Sequence, residues 1–182
     1  MKNSNRNYYV LTGGPGTDKT TILESLKNKN YTCIPEVARE IIKDQVNKRG
    51  SALPWANKAE YAKLMWQESI RSYQSVIESN SLSKIFFDRG ILDTICYMEM
   101  ENLAFEFEQI EFLKSVLYKK VFILPPWHEI YVTDQERKQS WQEAIITYNS
   151  MRNIYNKYGY EVIEVPKDSV ENRVQFILSN TL

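Results

Sequence analysis

A chain of 182 residues, 43% apolar and 25% charged, has the composition of an ordinary soluble globular protein and is long enough to bury a sizeable core. Its 23 basic and 23 acidic side chains cancel, which excludes broad electrostatic attraction to nucleic acid or to an anionic membrane. Any anion recognition must then come from a few placed cations.

The first apolar run, Tyr8-Tyr9-Val10-Leu11, is a strand candidate and is too short for a signal peptide or a membrane span, so a cytoplasmic location is expected. Directly after it comes Thr12-Gly13-Gly14-Pro15-Gly16-Thr17-Asp18-Lys19-Thr20-Thr21, and then a helical pattern from Thr20 to about Lys29-Asn30. Strand, glycine-rich loop and helix in that order match the P-loop template G-x-x-x-x-G-K-[ST], opened by Gly13 and closed by Lys19-Thr20. Glycines let backbone N–H groups turn inward around an anion, and the helix N-terminus adds its dipole. Residues 13–21 would line the phosphates of ATP or GTP. Lys19 would reach the β- and γ-phosphates, and the Thr20 hydroxyl would ligate Mg²⁺.

One position departs from the template: Asp18 stands where the second glycine belongs. A carboxylate about 4 Å from a phosphate, at an effective dielectric of about 20, costs roughly 4 kcal/mol, or about a thousandfold in affinity. Exposure or a bridging Mg²⁺ would reduce that. Asp is also favourable at a helix N-terminus, so it could partly fill the anion site itself.

Four further strands are expected: Tyr31–Pro35, Lys84–Asp88, Lys120–Leu124 and Tyr160–Val165. Helical patterns separate them, beginning at Val37, running from about Lys58 to Ser79, Leu92 to Met100, Glu106 to Tyr118 and Trp141 to Tyr158, with a last helix reaching about Leu178. Asp168-Ser169-Val170-Glu171 has the look of a capping box for that last helix. Tyr61, Leu64, Met65, Tyr73, Val76 and Ile77 recur at spacings of three and four as the buried stripe of the long helix. Alternating strands and helices imply right-handed crossovers and a parallel sheet covered on both faces. The expectation is a single α/β domain over 1–182, a three-layer α/β/α sandwich with a five-stranded parallel sheet.

In such folds ligands gather at the C-terminal ends of the strands. Strand two ends in Glu36, strand three in Asp88-Arg89, and strand four leads through Pro125-Pro126 into a polar, lid-like segment at about 127–140 that carries Arg137 and Lys138. Asp88 is the candidate Mg²⁺ carboxylate, against a plain helix cap. Arg89 would clamp a substrate oxyanion, against a structural ion pair. Glu36 is the candidate base for an acceptor hydroxyl, with Arg39 orienting that acceptor; the alternatives are an ordinary helix-start Glu and a surface Arg. Arg137 would offset transition-state charge from the lid, against a solvated helix-start charge. Trp55, in the loop at 49–57, either stacks on a ring of the substrate or anchors its loop to the core. His128 is the single histidine, which excludes a multi-histidine metal site. Cys33 and Cys96, far apart and in no C-x-x-C arrangement, read as small buried hydrophobes.

Several stretches carry a family resemblance: Ile34-Pro35-Glu36-Val37-Ala38-Arg39-Glu40-Ile41-Ile42, Ala52-Leu53-Pro54-Trp55, Phe86-Phe87-Asp88-Arg89-Gly90-Ile91-Leu92-Asp93-Thr94, Pro125-Pro126-Trp127-His128-Glu129-Ile130-Tyr131 and Thr133-Asp134-Gln135-Glu136-Arg137-Lys138-Gln139-Ser140. Together with the loop they resemble the small bacterial P-loop proteins labelled AAA-type ATPases, of the NadR/Ttd14-like kind. The resemblance implies an ATP-binding domain laid out like nucleoside and nucleotide kinases, with Glu36 as base, Asp88-Arg89 as the acid–arginine pair and Arg137 on the lid. That family's loop reads G-G-P-G-[ST]-G-K-T, so Asp18 is the departure. Three readings stand open. The first is a Mg-ATP phosphotransferase acting on a small hydroxyl- or phosphate-bearing acceptor. The second is a non-catalytic nucleotide-binding module, and the third a simple ATP hydrolase.

Overall fold

The computed structural model describes residues 6–79, 82–130 and 140–181. Five strands, β1 (Tyr8–Gly13), β2 (Thr32–Ile34), β3 (Ile85–Asp88), β4 (Lys120–Leu124) and β5 (Val162–Glu164), form one sheet in the order β2-β3-β1-β4-β5. Every pairing is parallel. The strands alternate with α1 (Lys19–Asn28), α2 (Val37–Lys48), α3 (Lys58–Glu78), α4 (Ile91–Met100), α5 (Phe107–Ser115), α6 (Trp141–Lys157) and α7 (Val170–Ser179).

The sheet is central because its strands are apolar on both sides, and their two-residue period sorts the side chains between two cores. On β1, Tyr8 and Val10 join one core while Tyr9 and Leu11 join the other. On β4, Val121 and Ile123 divide from Phe122 and Leu124 in the same way. The first core takes Tyr73 and Val76 of α3, Ile91 and Ile95 of α4, and Ile154 and Tyr155 of α6. The second takes Ile22 and Leu26 of α1 and Val174 and Ile177 of α7. The α/β/α layering follows from that division.

The expected elements form, with ends that differ for physical reasons. The helix expected to reach Tyr118 stops at Ser115, because Val116 turns extended and Tyr118 is buried against Phe87 and Tyr73. β5 is shorter than expected, since Tyr160 points into the first core and bonds the Val116 carbonyl at 2.7 Å. On α3, Tyr61, Met65, Tyr73 and Val76 are buried, whereas Leu64 and Ile77 are only partly so. At the start of α7, Ser169 accepts from the Asn172 N–H as the cap, but Glu171 does not close a box; it pairs instead with Lys29 at 3.3 Å.

Gly90 sits where β3 hands over to α4, and a Cβ there would lie 2.7 Å from the Tyr155 hydroxyl and 3.0 Å from Val10. Tyr155 is fully buried and its hydroxyl is held by Asp93 at 2.6 Å, so it cannot swing aside freely. Gly90→Ala should therefore cost about 1–3 kcal/mol, read as a lower urea midpoint at unchanged slope. An unchanged midpoint would mean that the handover is looser than its packing.

Burial, the main cause, pushes the Cys33 thiol up to about 11 and the Cys96 thiol up to about 12. At pH 8 the more acidic of the two is about one part in a thousand thiolate. A disulfide-exchange reagent should thus label neither cysteine in the native protein and both in denaturant. Rapid native labelling of either would contradict the burial.

Candidate functional site

The parallel sheet delivers the ends of β1, β2 and β3 to one place, and a single buried cluster of charge forms there. Lys19, in the first turn of α1, is 7% exposed, and its ammonium bonds the Asp88 carboxylate at the end of β3. Glu36, at the end of β2, lies 4.0 Å from the same ammonium. Arg89 donates to Glu36 at 2.7 Å and to Asp93 at 3.3 Å, and Arg39 lies 3.3 Å from Glu36. Three cations and three carboxylates are thus joined in one chain of contacts.

Burial depresses the Lys19 ammonium below its ordinary value, and the Arg89 charge adds to this; Asp88 and Glu36 oppose it without cancelling it. Burial alone would raise Glu36. The charges of Arg89 and Lys19, the Arg89 hydrogen bond and Arg39 outweigh it, and the carboxyl lies below the ordinary 4.5. Glu36 is therefore ionised at neutral pH. Its share of stability is full above the ordinary carboxylate range and is lost as pH falls through its depressed value. For Arg89, burial is outweighed by Glu36, Asp93 and Asp88, which hold it firmly protonated.

Two non-glycine residues in this region have left-handed backbones, Asp18 at φ 61° and Arg89 at φ 69°. Such a conformation is uncommon outside glycine, and aspartate tolerates it better than most. The need for it at position 18 explains why the template has glycine there. Asp18 is the N-cap residue of α1 but makes no side-chain bond to the backbone. Its carboxylate accepts from the Thr21 hydroxyl and lies 3.7 Å from Arg173 of α7. It does not fill the anion site as a cap. Arg89 is pinned by a backbone bond to the Leu11 carbonyl at 2.9 Å, which fixes the guanidinium over Glu36 and Asp93.

The loop itself is tight. A Cβ on Gly13, at φ 148°, would meet the Leu124 carbonyl at 2.7 Å; Gly16 has φ 75°; and the buried Thr17 hydroxyl closes back on the Gly14 carbonyl at 3.0 Å. Thr20 is exposed in the first turn of α1. Among the described residues no cluster of three or more His, Cys, Asp or Glu is arranged to hold a metal. Near the loop, the Asp88 carboxylate and the Thr20 hydroxyl are oxygen donors of the kind that Mg²⁺ takes beside phosphate.

One cleft adjoins the cluster and a second adjoins the glycine-rich loop. A small one of about 30 Å³, between β2, α2, α3 and β3, is lined by Glu36, Asp88, Arg89, Met65 and Ser69. An open groove of about 410 Å³ runs beside the loop, lined by Gly16, Asp18, Trp127, Ile130 and Asp168.

Of the residues expected to act together, Lys19, Glu36, Arg39, Asp88 and Arg89 are brought together. Neither Asp88 nor Glu36 serves as a side-chain cap: α4 is capped at Gly90, and the Glu36 side chain turns to Arg89. Trp55 is 68% exposed and lines neither cleft, so it does not anchor its loop; Ala52 and Leu53 do that. Arg137 and Lys138 lie outside the described residues. Sequence reasoning missed Asp93, which is 6% exposed and takes bonds from Thr12, from the Gly90 N–H at 2.8 Å and from Tyr155, besides Arg89. Its signal was there: an acid four residues after Arg89, inside an apolar helical run. Arg173 was missed too. It is 1% exposed and donates to the Thr17 carbonyl at 2.9 Å.

The sequence profile of the AAA_28 family, described as an AAA domain, matches residues 8–173. No curated protein matches. Among solved structures, deoxyadenosine kinase from M. mycoides with dCMP and dCDP bound aligns at 17% identity and a TM-score of 0.62, over 95% of this chain and 97% of that one. NadR in complex with NR aligns at 14% identity and a TM-score of 0.66, over 96% of this chain, which spans only 48% of NadR. Shikimate kinase from Acinetobacter baumannii with shikimate aligns at 17% identity and a TM-score of 0.56, over 97% of this chain and 96% of that one. Identities this low speak to the fold, which is that of P-loop kinases. With its glycine-rich loop at the end of β1 and a profile match across nearly its whole length, the chain belongs to the AAA_28 family of AAA domains.

Proposed function

We propose that this chain is a single-domain phosphotransferase that moves the γ-phosphoryl group of ATP or GTP, with Mg²⁺, to a small hydroxyl- or phosphate-bearing acceptor of nucleoside-like kind. The observation that carries the reading is the buried cluster in which the loop lysine pairs with two strand-end carboxylates that, together with Arg89, line one cleft. Nucleotide storage alone would not require an ionised glutamate beside the acceptor cleft. The triphosphate would supply the phosphoryl group and the metal would draw charge from its oxygens.

The chain's own residues supply the rest. Residues 13–21 offer backbone N–H groups and Lys19 to the phosphates, and Thr20 and Asp88 are the side chains that would hold Mg²⁺. Glu36 accepts the acceptor's proton on its carboxylate. Arg89 holds Glu36 in place and presents its guanidinium to the acceptor, with Arg39 at the rim and Arg137 serving from the lid-like segment. The groove between Trp127 and Asp168 suits the base of the nucleotide, where an aromatic ring and a carboxylate stand beside Gly16. Trp55, exposed on its loop, would meet a substrate ring only if that loop closed.

Glu36→Gln should lower kcat about a hundredfold or more, because proton acceptance is lost together with the charge that faces Lys19, Arg89 and Arg39. A panel of nucleosides and nucleotides with γ-labelled ATP provides the assay. Wild-type turnover that is undiminished in Glu36→Gln would remove Glu36 from the chemistry, and nucleotide binding with no transfer to any acceptor would favour a regulatory module.

The pH profile offers an independent check. Since Glu36 is held below 4.5, the wild-type rate should show no loss from this group until pH falls beneath that value. An acid limb near neutrality that vanished in Glu36→Gln would contradict its depressed pKa.

A further inference from the structure

Arg173 is placed strangely for a structural residue. It lies in the second core side of α7, fully enclosed, yet Nε and Nη1 make no hydrogen bond among the described residues. Only Nη2 is satisfied, by the carbonyl of Thr17 within the glycine-rich loop. The guanidinium lies 5.6 Å from the ring centre of Trp127, and Nη1 faces Asp18 at 3.7 Å. A buried guanidinium with unused donors costs free energy unless a charge answers it, and among the described residues the carboxylate paired with it is the one that replaces the loop's second glycine. Asp18 in turn opposes the desolvation that lowers Arg173.

The two departures explain each other. A carboxylate beside a phosphate path repels an incoming triphosphate, and a cation held against that carboxylate from behind removes most of the repulsion. We propose, on the nucleotide-binding reading of the loop given above, that Arg173 is the counter-charge that lets a phosphate loop bearing Asp18 accept a nucleoside triphosphate. It is a positioning residue: it acts through Asp18 and through the Thr17 carbonyl that it holds. Position 18, at the start of α1, and position 173, in α7, then form one functional unit on one face of the sheet, and Asp18 is tolerated only while Arg173 carries its charge.

The test is a double-mutant cycle read by calorimetric titration with Mg-ATP, with each variant's melting midpoint measured without ligand. Arg173→Gln keeps a donor for the Thr17 carbonyl and removes the charge. It should weaken Mg-ATP tenfold or more in the wild-type background and less than threefold in the Asp18→Gly background. Equal losses in both backgrounds would reduce Arg173 to packing and overturn the proposal. So would wild-type affinity in Arg173→Gln. Should Arg173→Gln fail to fold, Arg173→Lys decides: it keeps the charge, and binding within threefold of wild type is expected, whereas a tenfold loss in a folded Arg173→Lys would overturn the proposal. A wild type that binds nothing while Asp18→Gly binds Mg-ATP would refute compensation by Arg173 but leave the nucleotide reading intact. No binding by either would remove both.

Discussion

The structure depends on a buried ion pair that does little for stability. Taking Lys19 and Asp88 out of water costs several kcal/mol per ion, and their mutual attraction returns that only when every remaining donor and acceptor is met. Here Glu36 lies 4.0 Å from the Lys19 ammonium and is itself bonded by Arg89, which Asp93 also holds, so the charges are affordable only as a set. A hydrophobic cluster of the same volume would stabilise the fold as well or better. That a chain of this size keeps so many charges at the ends of its strands is best understood through what Lys19 does when it leaves Asp88. On the proposed function, a polyanion in the loop would take over the ammonium and leave Asp88 free to face a cation.

The backbone around this cluster is organised to the same end. β1 runs fully buried from Tyr8 to Gly13, and the turn after it must bring peptide N–H groups together without a Cβ against the Leu124 carbonyl. β3 ends with Arg89 in a left-handed turn that β1 itself pins through the Leu11 carbonyl, so the guanidinium is aimed by main chain. Asp93 then ties that turn to Thr12 and Tyr155. The end of β1, the acid–arginine pair and α4 are therefore tied together by hydrogen bonds.

Much of this was legible from the amino-acid order alone. Short strand-like runs alternating with helical patterns pointed to five parallel strands, and the P-loop pattern with the rule that ligands gather at strand ends was enough to bring Lys19, Glu36, Asp88 and Arg89 to one site. What was not legible depended on contacts distant in sequence. The Asp93 bond to Thr12 spans 81 positions and the Arg173 bond to Thr17 spans 156, and no local pattern encodes either. The left-handed backbone at Arg89 was hidden for a similar reason, since it is imposed by β1 rather than by its own neighbours. Trp55 misled in the opposite direction: loop tryptophans commonly anchor, but here Ala52 and Leu53 are the buried residues of the loop and Trp55 is exposed.

The central claim is that Lys19 exchanges Asp88 for phosphate in one cleft where Glu36 and Arg89 await an acceptor. A crystal structure of the protein with Mg²⁺ and a non-hydrolysable ATP analogue tests it most directly. The account predicts the analogue's phosphates within the loop at residues 13–21, the Lys19 ammonium on them, and Asp88 released toward the cation. An analogue bound elsewhere, or Lys19 still paired with Asp88 beneath a bound triphosphate, would contradict it.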